Sequence, residues 1–288
     1  MTEIRAQDLR FTPDEAQTFF VQAMKLDLDA ETIRTVETRT EGWAVGLQLA
    51  ALALQNLPNP QAFVASFGGS HRYVLDYLAE EVIRQLGEET RQFLTQTSVL
   101  ARFNAAVCAA LTGRTDSQAI LQNLEQANLF VVPLDDERIW YRYHHLFADY
   151  LRTRLTKSEL SELCQKASAW HEANDLTAEA VQYALACADA DFGADVVARA
   201  LRRHTTWSGG NVALLSSWLD VLSPQVYASR PQLSLDASRI LYLAGRFHLA
   251  EERLEQTEQI LSAFPATPAT EEMLALAALY RGSIAAVR

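Results

Sequence analysis

Helix-forming residues crowd this chain, and strand-forming residues are scarce in it. Its 288 residues include 44 Ala and 40 Leu, against 25 Val and Ile together. Ala and Leu lose little side-chain freedom in a helix, whereas β-branched residues suit the pleated surface of a sheet. Only 11 Gly and 8 Pro punctuate the sequence. The chain must therefore be mainly α. At 49% apolar it has the material for real cores, which excludes a disordered chain. Its length suggests roughly two domains.

The formal net charge of −11 is spread evenly: residues 1–155 carry 14 basic and 20 acidic side chains, and residues 156–288 carry 11 and 16. A nucleic-acid groove needs a basic face that displaces counterions from phosphates. The longest basic cluster is Arg202-Arg203, so no direct binding of nucleic acid by this chain is expected. Cys108, Cys164 and Cys187 lie far apart in apolar helical contexts, the pattern of buried free thiols in a reducing cytosol. The N-terminus has no apolar signal core, and the most apolar stretch, Ala44 to Leu54, contains Gln48 and is too short to span a bilayer. A soluble cytoplasmic protein without a membrane partner is the expectation.

Three regions follow along the chain. In residues 1–57 a short extended piece, Ile4 to Leu9, precedes Thr12-Pro13-Asp14-Glu15, a capping hydroxyl, a first-turn proline and a Glu three residues after the cap. The helix this starts runs through Phe19, Phe20 and Met24. Asp29 is placed to cap a second helix over 30–40, and a third, Trp43 to Gln55, is apolar on nearly every side and should be mostly buried. Leu57-Pro58-Asn59-Pro60 reads as a linker. Residues 70–155 read as helices at 71–85, 88–97, 104–112 and 116–127, then a β-type run Leu129 to Leu134. A turn at Asp135 to Arg138 leads into Ile139 to Tyr143, and a last helix starts near Leu146. Helices followed by one hairpin and a closing helix make a winged-helix plan.

Residues 158–288 show a repeat. Candidate inter-helix turns at Asn174, Gly210, Gly245 and Gly282 lie 36, 35 and 37 residues apart, near the ~34-residue period of tetratricopeptide-like helix pairs. An irregular helical domain is the alternative. Stacked arrays usually end in a polar capping helix, yet Gly282 to Arg288 reads as the start of a further helix. The other end begins within what should be a sheet edge, so both ends read as cut.

Few residues carry a chemical signal. His144-His145-x-x-x-Asp149 resembles the general-base motif HHxxxDG of certain acyltransferases, but Tyr150 stands where that motif has glycine. Adjacent histidines cannot share a helical face, and no His follows at i+4, so no metal site is expected. Gly68-Gly69-Ser70-His71 and Gly209-Gly210 read as joints, the first with backbone amides as an alternative place for an anion. There is no GxxxxGK[ST] loop, and none of the three lysines (Lys25, Lys157, Lys166) follows a glycine. The chain alone is thus expected to be no enzyme, with no catalytic residues. Trp140, Tyr141, Tyr143 and Phe147 read mostly as packing, with Trp140 and Arg142 on one strand face and Tyr141 and Tyr143 on the other.

Five stretches together resemble a known family. They are DLRFTPDEA (8–16), TEGWAVGLQLAALAL (40–54), SHRYVLDYLAEEV (70–82), LEQANLFVVPLDDERIWYRYHHLFADYLRTRL (124–155) and AWHEANDLTAEAVQYALA (169–186). In this order they are similar to the MalT-like, LuxR-type ATP-dependent transcriptional regulators of the STAND class. The resemblance implies a helical lid segment at 1–57, a winged-helix domain at 70–155 and an incomplete array of TPR-like repeats at 158–288. It implies a switch. An ATPase domain holds ATP or ADP, the lid and winged helix close over it, and the repeats sense a small-molecule or protein inducer. A C-terminal helix-turn-helix binds DNA. By this resemblance Gly42, Trp43, His144 and His145 face the nucleotide, although alanine stands at 44 where many relatives have proline.

The phosphate-binding loop and the helix-turn-helix are absent from this sequence, so neither nucleotide is expected to bind tightly to the chain alone, and the intact parent would hydrolyse ATP slowly. Partners implied are the inducer, the parent's own ATPase domain and self-association through exposed apolar surface. A stand-alone helical-repeat scaffold for protein interaction is the alternative function, and an acyltransferase using His144 and Asp149 a third.

Overall fold

The computed structural model describes residues 10–26, 28–54, 83–127, 129–203, 211–263 and 265–287. The chain divides into two compact units, residues 1–163 and 164–288. Among the described residues there are 14 α-helices and one two-stranded sheet, the mainly α architecture the composition dictates. None of the described helices is long and apolar enough to cross a membrane.

In the first unit, α1 (Pro13–Thr18) starts at the expected capping box: Thr12 accepts from the Glu15 amide while the Glu15 carboxylate accepts from the Thr12 amide. It runs into a π-helical turn, Phe19–Ala23, with Phe20 fully buried. Asp29 caps α2 (Ala30–Thr40) by accepting from the Thr32 amide at 2.7 Å. α3 (Ala44–Leu54) follows directly. It is less buried than its composition implies. Leu47, Ala50, Ala51 and Leu54 are buried, but Ala44, Gln48 and Leu52, at i, i+4 and i+8, form an exposed stripe, with Leu52 41% exposed.

The winged-helix part contains α4 (Glu88–Thr97), α5 (Ala105–Thr112), α6 (Ser117–Gln126), β1 (Val131–Pro133), β2 (Tyr141–Tyr143) and α7 (His145–Arg152). The strands pair antiparallel, with Val131 opposite Tyr143 and Pro133 opposite Tyr141. Phe103 adds an isolated bridge to Tyr141, each amide donating to the other's carbonyl at 2.8 Å. The Asp135 carboxylate closes the hairpin by accepting from the amides of Ile139 and Trp140. Tyr141 and Tyr143 point into a core with Phe93, Phe103, Cys108 and Phe147, while Arg142 faces the other way. Buried inside, the Tyr143 hydroxyl meets Thr97 Oγ1 at 2.7 Å.

The unit division falls within α8 (Lys157–Ala173). The second unit continues with α9 (Thr177–Ala186), α10 (Ala190–Arg203), α11 (Val212–Val221), α12 (Pro231–Leu243), α13 (Phe247–Ser262) and α14 (Pro268–Val287). Small residues allow close approach: a Cβ on Gly193 of α10 would sit 3.3 Å from the Ala184 carbonyl oxygen of α9. Two turns are built alike. After α8, Asp175 takes φ 59° and the Leu176 amide reaches back to the His171 carbonyl. After α12, Gly245 takes φ 74° and the Arg246 amide reaches the Leu241 carbonyl. Each is a left-handed helix cap with an orphan carbonyl satisfied.

The candidate turn at Gly282 is corrected: that residue lies inside α14, which continues to Val287, because nothing but helix formers and small residues surrounds it. The extended piece at 4–9, the linker at 57–60, nearly all of the helix expected over 71–85, and the glycines at 68–69 and 209–210 lie outside the described residues.

Candidate functional site

The C-terminal end of α2 and the start of α7 meet in the first unit. α2 ends on two successive left-handed residues, Glu41 (φ 50°) and Gly42 (φ 68°), with the Gly42 amide returning to the Glu37 carbonyl at 3.1 Å. Glycine is required at 42: a Cβ there would lie 2.4 Å from the Phe11 carbonyl oxygen. The Gly42 carbonyl accepts from the Phe11 amide at 2.8 Å, so both backbone groups of Gly42 are used inside the fold. The reversal aims the Glu41 side chain at β2.

Glu41 is the hub. Arg142 grips its carboxylate as a fork, with Nη1 and Nη2 at 2.8 and 2.7 Å. His145 Nδ1 meets Oε1 at 2.9 Å, and Arg10 Nη1 stands 3.5 Å from Oε2. Burial pushes this carboxyl upward, but the bonds from His145 and Arg142 and the surrounding positive charge outweigh it, holding Glu41 ionised well below the usual carboxylate range.

His144 is the N-cap residue of α7, fixed by its amide bond to the Phe130 carbonyl at 2.8 Å. Its ring is buried, edge-on to Trp43 with centroids 5.7 Å apart. Trp43 in turn packs edge-on to Phe130 at 5.0 Å. His144 Nε2 lies 2.9 Å from the Thr40 carbonyl oxygen. A carbonyl only accepts, so Nε2 carries the hydrogen and the neutral ring leaves a lone pair at Nδ1. That atom is buried without a hydrogen-bond partner, as is Nε2 of His145. The two rings stack at 4.9 Å. Desolvation holds the His144 ring neutral, its pKa lowered to about 4 against the upward pull of Glu41.

All four residues expected to face a nucleotide are thus brought together: Gly42 shapes the turn, Trp43 walls the histidines, and His144 and His145 supply the orphaned nitrogens. Ligand atoms of Glu41, His144 and His145 lie within 4.8 Å of one another, a spacing that can hold a cation. The carboxylate, however, already accepts the Arg142 fork and the His145 ring, and a metal would have to displace them. Asp149 does not join the cluster. Its carboxylate accepts from Arg152 at 3.0 Å, while His145 has Glu41 as its acid, so the acyl-transfer constellation is not assembled.

Glu41 and Arg142 are the residues that sequence reasoning missed. Their signal was adjacency alone, Glu41 just before Gly42-Trp43 and Arg142 two residues before His144 on the strand face away from the core.

Residues 79–163 match the family described as the MalT winged helix domain. Over 200 residues the chain is 34% identical to the serine/threonine-protein kinase PknK of Mycobacterium tuberculosis, covering 68% of this chain and 18% of that protein. It is 33% identical over 243 residues to the HTH-type transcriptional regulator MalT of Vibrio cholerae, covering 82% of this chain and 26% of that one. The regulator of the same name from Yersinia enterocolitica is 32% identical over 269 residues, 91% of this chain and 29% of that one. The chain spans less than a third of the length of these relatives.

Proposed function

Since the chain is MalT-like, with the winged-helix domain of that type at 79–163, we propose that it is the switch and sensor portion of a transcriptional regulator. In this reading the first unit reports on the nucleotide held by an ATPase domain, and the helical second unit receives a small-molecule or protein inducer. The observation that carries it is the pair of buried, unpartnered imidazole nitrogens between the lid helix α2 and the winged-helix hairpin. Buried polar atoms in native structures nearly always have partners, and an orphaned pair beside a charged cluster is free to meet a ligand. Arg10, Arg142 and His145 gather around the Glu41 carboxylate, and protonation of an orphaned imidazole nitrogen beside them would suit the place to an anion, such as a nucleotide phosphate.

A match shared by a transcriptional regulator and a protein kinase supports a control module rather than an output domain. Switching then follows from differential binding: the form of the nucleotide that reaches the histidines favours the closed arrangement, and its exchange or an inducer biases opening. The evenly acidic charge fits a winged helix that packs within its own protein rather than on DNA. In a regulator carrying this segment, His144→Ala is expected to raise inducer-free transcription from a target promoter several-fold. Wild-type repression in that variant, with equal protein levels, would remove the latch from the account.

A further inference from the structure

We propose that Cys164 and Cys187 are a modification site of the helical second unit, where hydrogen peroxide installs a reversible disulfide between α8 and α9. The register of the two helices carries this reading, which is independent of the nucleotide. Around the turn at Asp175 their contacts run antiparallel. The Ser168 hydroxyl of α8 donates to the Ala180 carbonyl of α9 at 2.8 Å, and the His171 and Tyr183 rings meet at 4.9 Å. Past the end of α9, the Gln165 side-chain amide donates to the Asp189 carboxylate at 3.4 Å. Cys164 stands one turn before Ser168 and Cys187 one turn after Tyr183, so these contacts bracket the cysteines and set them opposite each other. Ala167, Ser168, Ala180 and Ala184 are buried along the seam. Side chains this small let the helices approach closely, as the short Cα separation of a disulfide demands. The Cys187 thiol is in hydrogen-bonding contact with Cys164. Its backbone, the C-cap of α9 with ψ 150°, has already left the helical path, so closing the bond need not distort α9.

The two thiols differ in access. Cys164 is 4% exposed, whereas Cys187 is half-buried between exposed Ala186 and Ala188, so peroxide reaches Cys187 first. The Cys187 thiolate attacks one peroxide oxygen: an S–O bond forms, the O–O bond breaks, and the departing hydroxide takes up the thiol's proton as water. The Cys164 sulfur then attacks the Cys187 sulfenic acid. The S–S bond forms, the S–O bond breaks, and the Cys164 proton leaves in a second water. Two thiols have lost two electrons and two protons, and one peroxide has become two waters. The groups facing Cys187 are Cys164 on α8, the Tyr183 carbonyl, which accepts from Sγ at 3.3 Å, and the Asp189 carboxylate. Cys164, burial and Asp189 hold the Cys187 thiol above its ordinary range. The thiolate is therefore scarce at pH 7 and oxidation is slow, which makes the pair a latch for sustained oxidant. Thiol reductants reopen it. While closed, the bridge ties the helix pair at the end away from the Asp175 turn and restricts the unfolded chain.

The test is treatment of this chain with excess hydrogen peroxide under native conditions at pH 7 and pH 9, quenched with N-ethylmaleimide and read by tryptic mass spectrometry. Trypsin cuts after Lys166, which puts the cysteines on separate peptides, 158–166 and 167–199. The expected main product is these two peptides linked with loss of two hydrogens, formed roughly tenfold or more faster at pH 9 than at pH 7. Dithiothreitol should separate them, and the linked chain should have a higher thermal midpoint. Cys187→Ser should abolish the link, and in Cys164→Ala the Cys187 sulfur should run on to sulfinic acid. Sulfinic acid on Cys187 of the wild-type chain, with Cys164 still a thiol, would overturn the pairing. A bridge to Cys108 or between two chains would overturn it too. Survival of both thiols at pH 9 would overturn the site altogether.

Discussion

Gly42 and His144 owe their environments to single atoms. At Gly42, φ of 68° and a Cβ position 2.4 Å from the Phe11 carbonyl oxygen leave no room for a side chain. Gly42→Ala is expected to lower stability by about 2 kcal/mol or more, read as a drop in the urea midpoint; an unchanged midpoint would contradict the geometry. His144 has a folded-state pKa lowered to about 4, against roughly 6.5 for an unperturbed histidine. Between those values the unfolded chain binds a proton that the folded chain refuses, so folding stability falls as pH drops from about 6.5 to 4, by up to about 3 kcal/mol. Glu41, depressed in the fold, adds stability that is present above about 4.3 and is lost below it. Urea titrations at pH 7, 5.5 and 4 are expected to show the His144 loss and the onset of the Glu41 loss. His144→Gln should abolish the loss between pH 6.5 and 5.5, and a variant as acid-sensitive as wild type there would assign the effect elsewhere. At this scale the sequence was partly legible. Asp29 and Thr12 announce their caps by residue type and spacing alone. The partnership of Glu41 with Arg142 spans 101 positions, and no local rule links residues so far apart.

Among the elements, local chemistry and tertiary packing divide the work. The hairpin was legible because a turn of charged residues separates two β-type runs, and Asp135 supplies the acceptor that closes it. α3 was read as mostly buried because it is apolar on nearly every side; its Ala44–Gln48–Leu52 stripe shows that periodicity does not say which face finds a partner. Gly282 was read as a turn from its spacing after Gly245, but Gly245 has a left-handed φ and Gly282 is a tolerated helix residue. The contact between α2 and β2 depends on the Glu41–Arg142 fork, whose side chains are 16% and 30% exposed. A double-mutant cycle with Glu41→Gln and Arg142→Met is expected to give a coupling of about 1–3 kcal/mol. A coupling near zero would reduce the fork to a surface pair.

Across the whole molecule, the two units differ in kind. The first joins capped N-terminal helices to a winged helix around one charged hub, and the second is a run of helices most of which pack on a sequence neighbour, with recurring left-handed caps. A hub that gathers charge beside orphaned imidazoles suits a part that must respond to a ligand, whereas stacked helices suit a part that presents surface. The mainly α architecture followed from Ala, Leu and scarce β-branched residues, but the site needed the fold to bring residues 40–43 to residues 142–145.

The claim that this junction faces a nucleotide phosphate is tested most directly by hydrogen exchange at pH 6, with and without millimolar ADP, on a regulator that carries this segment together with its ATPase domain. The account predicts slower exchange at residues 40–46 and 143–148 in ADP, and no change in His144→Gln. Identical exchange at both segments with and without ADP would contradict it.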